Sequence, residues 1–199
     1  MAAKVKLTKQ ELKRCKDELK RFKRYLPMLE LKKTQLTVEL RRIRSEAETT
    51  RVRLDALTAA TTSWIGLLND DPSVGDFIQI ESISRGTGNI AGVDIPVFEG
   101  VTFADLRYDL FEKPLWFDRA IRAIKELFEL QSTIVVLEEQ ETLIAEELRV
   151  TSQRVNLFEK VMIPQTKHNI RNIQLFLGDQ QTAAVVRGKI SKKKLRSAA

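Results

Sequence analysis

The sequence predicts a mainly α protein: a long antiparallel two-helix coiled coil, kinked near Pro27 and Pro164, with a short central insert that holds a β-hairpin. Three observations carry this. Apolar residues recur every 3.5 positions through the first third of the chain, a second helical run of comparable length follows later, and the stretch between them is broken by Gly, Pro and Asp. A sustained 3.5-residue repeat is the mark of a coiled-coil seam. The composition agrees. Of 199 residues, 31% are charged and only 8 are Gly and 5 Pro, which favours long exposed helices over a sandwich or barrel.

The first helix should begin near Lys9, because Thr8 and Glu11 have the spacing of a capping box. From there, alternating steps of three and four residues land on Leu12, Cys15, Leu19, Phe22, Leu26, Leu29, Lys33, Leu36, Leu40, Ile43, Ala47, Thr50, Leu54, Leu57, Thr61, Trp64 and Leu68. All but Lys33, Thr50 and Thr61 are apolar. A helix of about 60 residues would be roughly 90 Å long, more than one small core can bury, so it needs a long partner. The seam keeps its phase through Pro27, which argues for one bent helix there. Cys15 falls on the seam and reads as a small buried hydrophobe.

Residues 1–68 are therefore taken as the first coiled-coil helix. The insert, residues 69–113, opens with the turn Asn69-Asp70-Asp71-Pro72. Its hairpin, over about 77–97, would pair Phe77–Glu81 with Val93–Val97 through the Gly-rich link Arg85–Asn89. Pro96 suits an edge strand. Gly86-Thr87-Gly88 lacks the following Gly-Lys-Ser/Thr of a phosphate loop. Pro114 suits the first turn of the second helix, residues 114–186. Its apolar positions run from Trp116 and Phe117 through Ile134, Leu137, Ile144, Leu148, Val155, Phe158 and Met162 to Ile170, Ile173 and Leu177. Gly178 and Asp179 could end it, leaving residues 187–199 as a basic tail. Placing Leu68 opposite Leu115 puts Ile43 near Leu137 or Glu141 and Leu12 near Ile170 or Ile173.

Charge is segregated. Residues 1–24 hold 10 Lys/Arg against 3 Asp/Glu, residues 187–199 hold 6 Lys/Arg and no acid, and residues 69–118 hold 3 Lys/Arg against 10 Asp/Glu. The net charge is +7. One Cys excludes a disulfide framework and a Cys-based zinc site, and one His, His168, removes most His-dependent metal and triad chemistry. No cofactor, metal or catalytic residue is expected. Glu138-Glu139 and Glu146-Glu147 read as solvated pairs on a helix. No apolar run reaches the roughly 20 residues of a membrane span, and the N-terminus has no apolar signal core. The residues alone leave open a rigid rod with two chemically different ends, a basic nucleic-acid-associated coiled coil, or a scaffold coiled coil.

Two motifs narrow this. Arg154-Val155-Asn156-Leu157-Phe158-Glu159-Lys160-Val161-Met162-Ile163-Pro164 resembles the RVNxxExxxIP signature of the D subunit of V-type and A-type ATPases. Gly92-Val93-Asp94-Ile95-Pro96 resembles that family's G-V-x-I-P in its hairpin. The resemblance implies a non-catalytic central-stalk rotor component that transmits torque between the nucleotide-handling ring and the membrane rotor. The motif residues are Gly92, Val93, Ile95, Pro96, Arg154, Val155, Asn156, Glu159, Ile163 and Pro164. It also implies partners: the A and B subunits of the ring, the small F subunit of the stalk, and the funnel-shaped C/d component of the rotor foot. Neither nucleic acid nor direct membrane insertion is expected, and the chain would sit in the cytoplasm, peripheral to the membrane. Lys4, Lys6, Arg187, Lys189, Lys192, Lys193 and Lys194 are the candidate ring contacts. The acidic stretch 69–118, with Phe98, Phe103, Tyr108, Phe111 and Trp116, is the candidate docking end for the small stalk partner and the foot.

Overall fold

The computed structural model describes residues 5–66, 72–104, 109 and 113–198. Leu68, the Asn69-Asp70-Asp71 turn, Tyr108, Phe111 and Lys4 lie outside the described residues. The elements are helix α1 (Lys9–Thr62), a 3-10 turn (Pro72–Phe77), strands β1 (Ile80–Ile90) and β2 (Val93–Phe103), helix α2 (Phe117–Leu157), a π-turn (Phe158–Met162) and helix α3 (Ile163–Ala198). The chain divides into two compact units, Thr34–Arg149 and Met1–Lys33 with Val150–Ala199.

α1 starts where the cap predicts. The Glu11 N–H donates to Thr8 Oγ1 at 3.2 Å, and the Leu12 N–H donates to the Thr8 carbonyl. The Thr8 N–H is taken by the Lys6 carbonyl. Every seam position from Leu12 to Trp64 is buried or half-buried, Lys33 alone excepted. Pro27 lies inside α1, whose helix continues across it.

In the unit Thr34–Arg149, Leu36, Leu40, Ile43 and Ala47 of α1 form one core cluster with Leu137 and Ile144 of α2 and Ile95 of β2. Arg44 Nε meets Glu141 at 2.7 Å, and Arg51 pairs with Glu138. The α1 number rises while the α2 number falls, so the two helices run antiparallel here. Arg44 to Glu141 is within a residue or two of the expected register. The second cluster of this unit gathers Val74, Phe117, Ala120 and Ile121 under Trp64, Phe77 and Trp116. Lys113 Nζ sits over the Phe77 and Phe117 rings, 5.6 and 5.0 Å from their centroids.

The hairpin differs from the sequence expectation. It spans 80–103 rather than about 77–97, and Phe77 belongs to the 3-10 turn. Gly86-Thr87-Gly88 is strand, not link. Thr87 pairs with Pro96 and Gly88 with Ile95, and a Cβ on Gly88 would stand 3.0 Å from Val97 Cγ2. Those glycines make room for side chains that lean across from β2. The turn is Ala91-Gly92, where φ is 51° and 80°. Both residues are left-handed, as a two-residue turn between twisted strands requires. Asn89 secures it: its Oδ1 accepts from the Gly92 N–H at 3.0 Å, and its amide donates to Asp94 Oδ1 at 2.6 Å.

In the unit formed by Met1–Lys33 and Val150–Ala199, Cys15, Thr151, Val155, Thr166 and Ile173 are buried, and the Phe22 and Phe158 rings meet at 5.2 Å. Burial, and then Glu11 and Glu18 nearby, push the Cys15 thiol pKa up. The second helix is not one α-helix over 114–186. α2 begins at Phe117, whose N–H donates to the Pro114 carbonyl. A π-turn interrupts it just before Pro164, and α3 passes Gly178 and continues to Ala198. The segment 187–198 is thus helical. Its Lys, Arg, Leu and Ala are good helix formers, and that offsets Gly178 and Gly188.

Candidate functional site

The residues of the hairpin motif have separable jobs. Gly92 supplies the left-handed turn. Val93 packs against the core cluster and Ile95 is buried within it. Pro96 offers its carbonyl to Gln140, whose Nε2 donates at 2.5 Å from α2. Arg85 of β1 faces Glu139 at 3.6 Å. The motif therefore roots the hairpin on α2 and α1. Phe98, Phe103 and Trp116 are half-buried rather than displayed: Lys125 Nζ covers Phe103, and Trp116 stacks at an angle on Phe117.

The second motif straddles the π-turn. The Ile163 N–H donates to the Phe158 carbonyl, five residues back. Pro164 has no N–H and would press its ring on the carbonyl four residues earlier. Widening the turn ahead of it relieves that contact, and a π-turn inserts one extra residue into the helix. The consequence is visible in the burial. Steps of three and four through Leu148, Thr151, Val155, Phe158 and Met162 would next reach Gln165, Asn169 and Asn172, of which Asn169 is half-buried and the other two are exposed. Thr166 and Ile173 are buried instead, each one residue later. Of the motif residues here, Val155 is buried and Ile163 half-buried, whereas Arg154, Asn156, Glu159 and Pro164 are exposed.

All the basic tail residues named above are exposed, as is Lys6. So is every residue from Gly178 to Arg196, including Val185, Val186, Ile190 and Leu195. That helical stretch presents apolar and basic side chains on all sides. Sequence reasoning assigned it charge alone; the apolar residues were legible, but only the continuing helix makes them a surface.

The carboxylate pairs on α2 are less solitary than the sequence suggests. Glu138 meets Arg51, Glu139 meets Arg85, and Glu146 accepts from Arg149 at 2.6 and 2.9 Å. The Arg149 hydrogen bond holds the Glu146 carboxyl below the ordinary glutamate range. An open groove of about 600 Å³ is lined by Arg51, Glu138, Glu141, Thr142, Glu146 and Arg149. A second, of about 340 Å³, is lined by Leu54, Thr58, Ile124, Leu127, Phe128 and Gln131. Neither set brings a nucleophile to a base. Among the described residues, no group of three or more His, Cys, Asp or Glu could hold a metal ion, and no helix is long and apolar enough to cross a membrane. His168 sits beside Asn172 at 3.0 Å on the surface of α3.

An antiparallel helix pair with a hairpin rooted on its flank, and in the other unit a long helix with an exposed end, define a mainly helical protein with a two-stranded β-hairpin. Comparison with known proteins gives the family. The family model for the D subunit of ATP synthase matches residues 11–193. The V-type ATP synthase D subunit of Borreliella burgdorferi is 46% identical over 193 residues, covering 97% of this chain and 96% of that protein. The V-type ATP synthase D subunit of Chlamydia pneumoniae is 36% identical over 200 residues, covering 98% and 95%, and that of Chlamydia caviae is 31% identical over 199, covering 98% and 96%. The chain belongs to the ATP synthase D-subunit family.

Proposed function

We propose that this chain is the central-stalk rotor axle of a V/A-type ATPase. It carries torque between the ATP-handling ring and the membrane rotor and performs no catalysis itself. The near full-length match to named V-type D subunits carries this reading. The exposed helical end, Gly178–Arg196, supports a contact with the inner wall of the ring of A and B subunits. Its basic residues Arg187, Lys189, Lys192, Lys193 and Lys194 would steer assembly, and Val185, Val186 and Ile190 would seat it. Lys4 and Lys6 belong to the same proposed contact. The acidic insert is the proposed docking end for the small F subunit of the stalk and the funnel-shaped foot.

The test compares the full chain with a chain lacking 187–199, each mixed with the A and B subunits. Truncation should leave the melting temperature nearly unchanged, since no described residue there is buried. Ring assembly should weaken at physiological salt, and the difference between the two chains should shrink at high salt, which screens the contacts of the tail; the Debye length is about 8 Å at physiological ionic strength. If neither form binds the ring and truncation removes only nucleic-acid binding with a steep salt slope, the rotor reading fails.

A further inference from the structure

Four consecutive residues of α2 reach two different elements. Glu138 and Glu141 hold α1 through Arg51 and Arg44, while Glu139 and Gln140 hold the hairpin through Arg85 and Pro96. The two attachments are unequal in kind. The helix pair has its own core of Leu36, Leu40 and Ile43 against Leu137 and Ile144. The hairpin has two strands only, and such a ribbon is marginal by itself. Residues 80–85 of β1 are all exposed. Its footing in the core cluster is Ile95, with Ile90, Ala91 and Val93 half-buried beside it, and further along β2 the half-buried Phe103 lies under Lys125 of α2.

The position of Pro96 in the ladder explains why Gln140 is needed. Ile90 and Val93 flank the two-residue turn and pair, so they form a hydrogen-bonded pair. Bonded and open pairs then alternate along an antiparallel ladder. Asn89–Asp94 is open, Gly88–Ile95 bonded and Thr87–Pro96 open. In an open pair the backbone groups point away from the partner strand. The Pro96 carbonyl thus leaves the sheet on its outer edge, where α2 lies. A residue with an N–H would aim a donor at the same helix; proline has none. One acceptor remains, and Gln140 satisfies it. Gln140 is 7% exposed and Pro96 is half-buried, so water is a poor substitute for the Pro96 carbonyl at the Gln140 amide.

We propose that Gln140 is the positioning residue of a latch: its buried amide caps the outward carbonyl of Pro96, and removing it releases the hairpin as a unit while the helix pair stays intact. The exposed Arg85–Glu139 pair plays a minor part, because ion pairs at half-exposed sites contribute little. A part-buried carbonyl left without its donor, against a buried side chain, is the costlier defect.

The experiment is peptide-resolved amide exchange on the full chain, comparing wild type, Gln140→Met and Glu139→Gln. Methionine keeps the side-chain length and volume and removes the donor. Amides of Gly86–Val97 should exchange at least about tenfold faster in Gln140→Met and less than about threefold faster in Glu139→Gln. Amides near Leu40 in α1 and Ile144 in α2 should be unchanged, which a general loss of stability would not allow. If Gln140→Met does not fold, Gln140→Leu serves: it is of similar size and has no donor at any pH. Hairpin exchange within about twofold of wild type overturns the proposal. So does equal acceleration in the helices, or an effect of Glu139→Gln as large as that of Gln140→Met.

Discussion

If the π-turn exists to absorb one surplus residue ahead of Pro164, then removing that residue together with the proline should leave a working seam. Deleting Lys160 shifts everything after it back by one. In a continuous α-helix, Ile163 then takes the place of Met162, and Thr166, Ile170, Ile173 and Leu177 fall on the unbroken three-and-four walk. With Pro164→Ala in the same chain, no ring opposes the regular helix, and the variant should melt within a few degrees of wild type. Deleting Lys160 alone forces proline into a regular helix, at a cost of about 3 kcal/mol. Deleting Lys167 is the contrasting control. It removes no surplus and brings Arg171, Gln174 and Gly178 to the seam in place of Ile170, Ile173 and Leu177. Ile173 is fully buried, and burying one such side chain is worth about 1.5–3 kcal/mol. With the two half-buried neighbours lost as well, about 3–5 kcal/mol should go. At about 2–4 °C per kcal/mol for a chain of this size, that lowers the melting temperature by roughly 10 °C. Circular dichroism at 222 nm measures all three variants. Equal losses in the double variant and in the Lys167 deletion would refute the argument, because the π-turn would then be no phase correction.

The other expectations are local. Thr8→Ala should cost about 1 kcal/mol, read as faster exchange of the Glu11 amide, and Thr8→Ser should restore it. Gly92→Ala meets no atom within 4 Å of its new Cβ, so its loss, about 1–2 kcal/mol, should come from the φ of 80° alone. The Arg149→Gln change should return the Glu146 carboxyl to the ordinary glutamate range in an NMR titration. Because the folded value is lowered, the pair's contribution is present above the ordinary range and disappears as pH falls through the lowered value.

Much of this fold is legible in the sequence because its strongest signals are periodic. The seam from Leu12 to Trp64 is set by one number repeated, and the cap at Thr8 by two residues at fixed spacing. The hairpin turn misleads for a physical reason. Gly-x-Gly usually marks a chain reversal, but Gly86 and Gly88 are there to be overhung, and the reversal uses Ala91, which seldom takes a positive φ. The end of the second helix misleads because Gly178 is a weak breaker amid strong helix formers. Pro164 announces a disturbance, but whether a proline bends a helix or is absorbed by a wider turn depends on the phase of the seam beyond it. That phase rests on Thr166, a polar residue whose hydroxyl is satisfied by the Met162 carbonyl at 2.7 Å. Gln140 was invisible for a like reason. A glutamine among three glutamates reads as solvent-facing until the strand edge opposite it is known.

The two sequence motifs then have one physical theme. Each surrounds a proline whose missing N–H decides what its neighbours must do. At Pro96 the absent donor lets a strand edge face a helix, with Gln140 answering the one carbonyl left. At Pro164 the ring compels a wider turn, and the extra residue hands the seam from Met162 to Thr166 instead of Gln165. The faces of α3 beyond that point, including the basic and apolar residues from Gly178 to Arg196, are rotated by one residue, about 100°, from where an unbroken helix would carry them. Such a rotation is tolerated provided that the hydrophobic seam does not slip with it, and the burial of Ile173 shows that it does not.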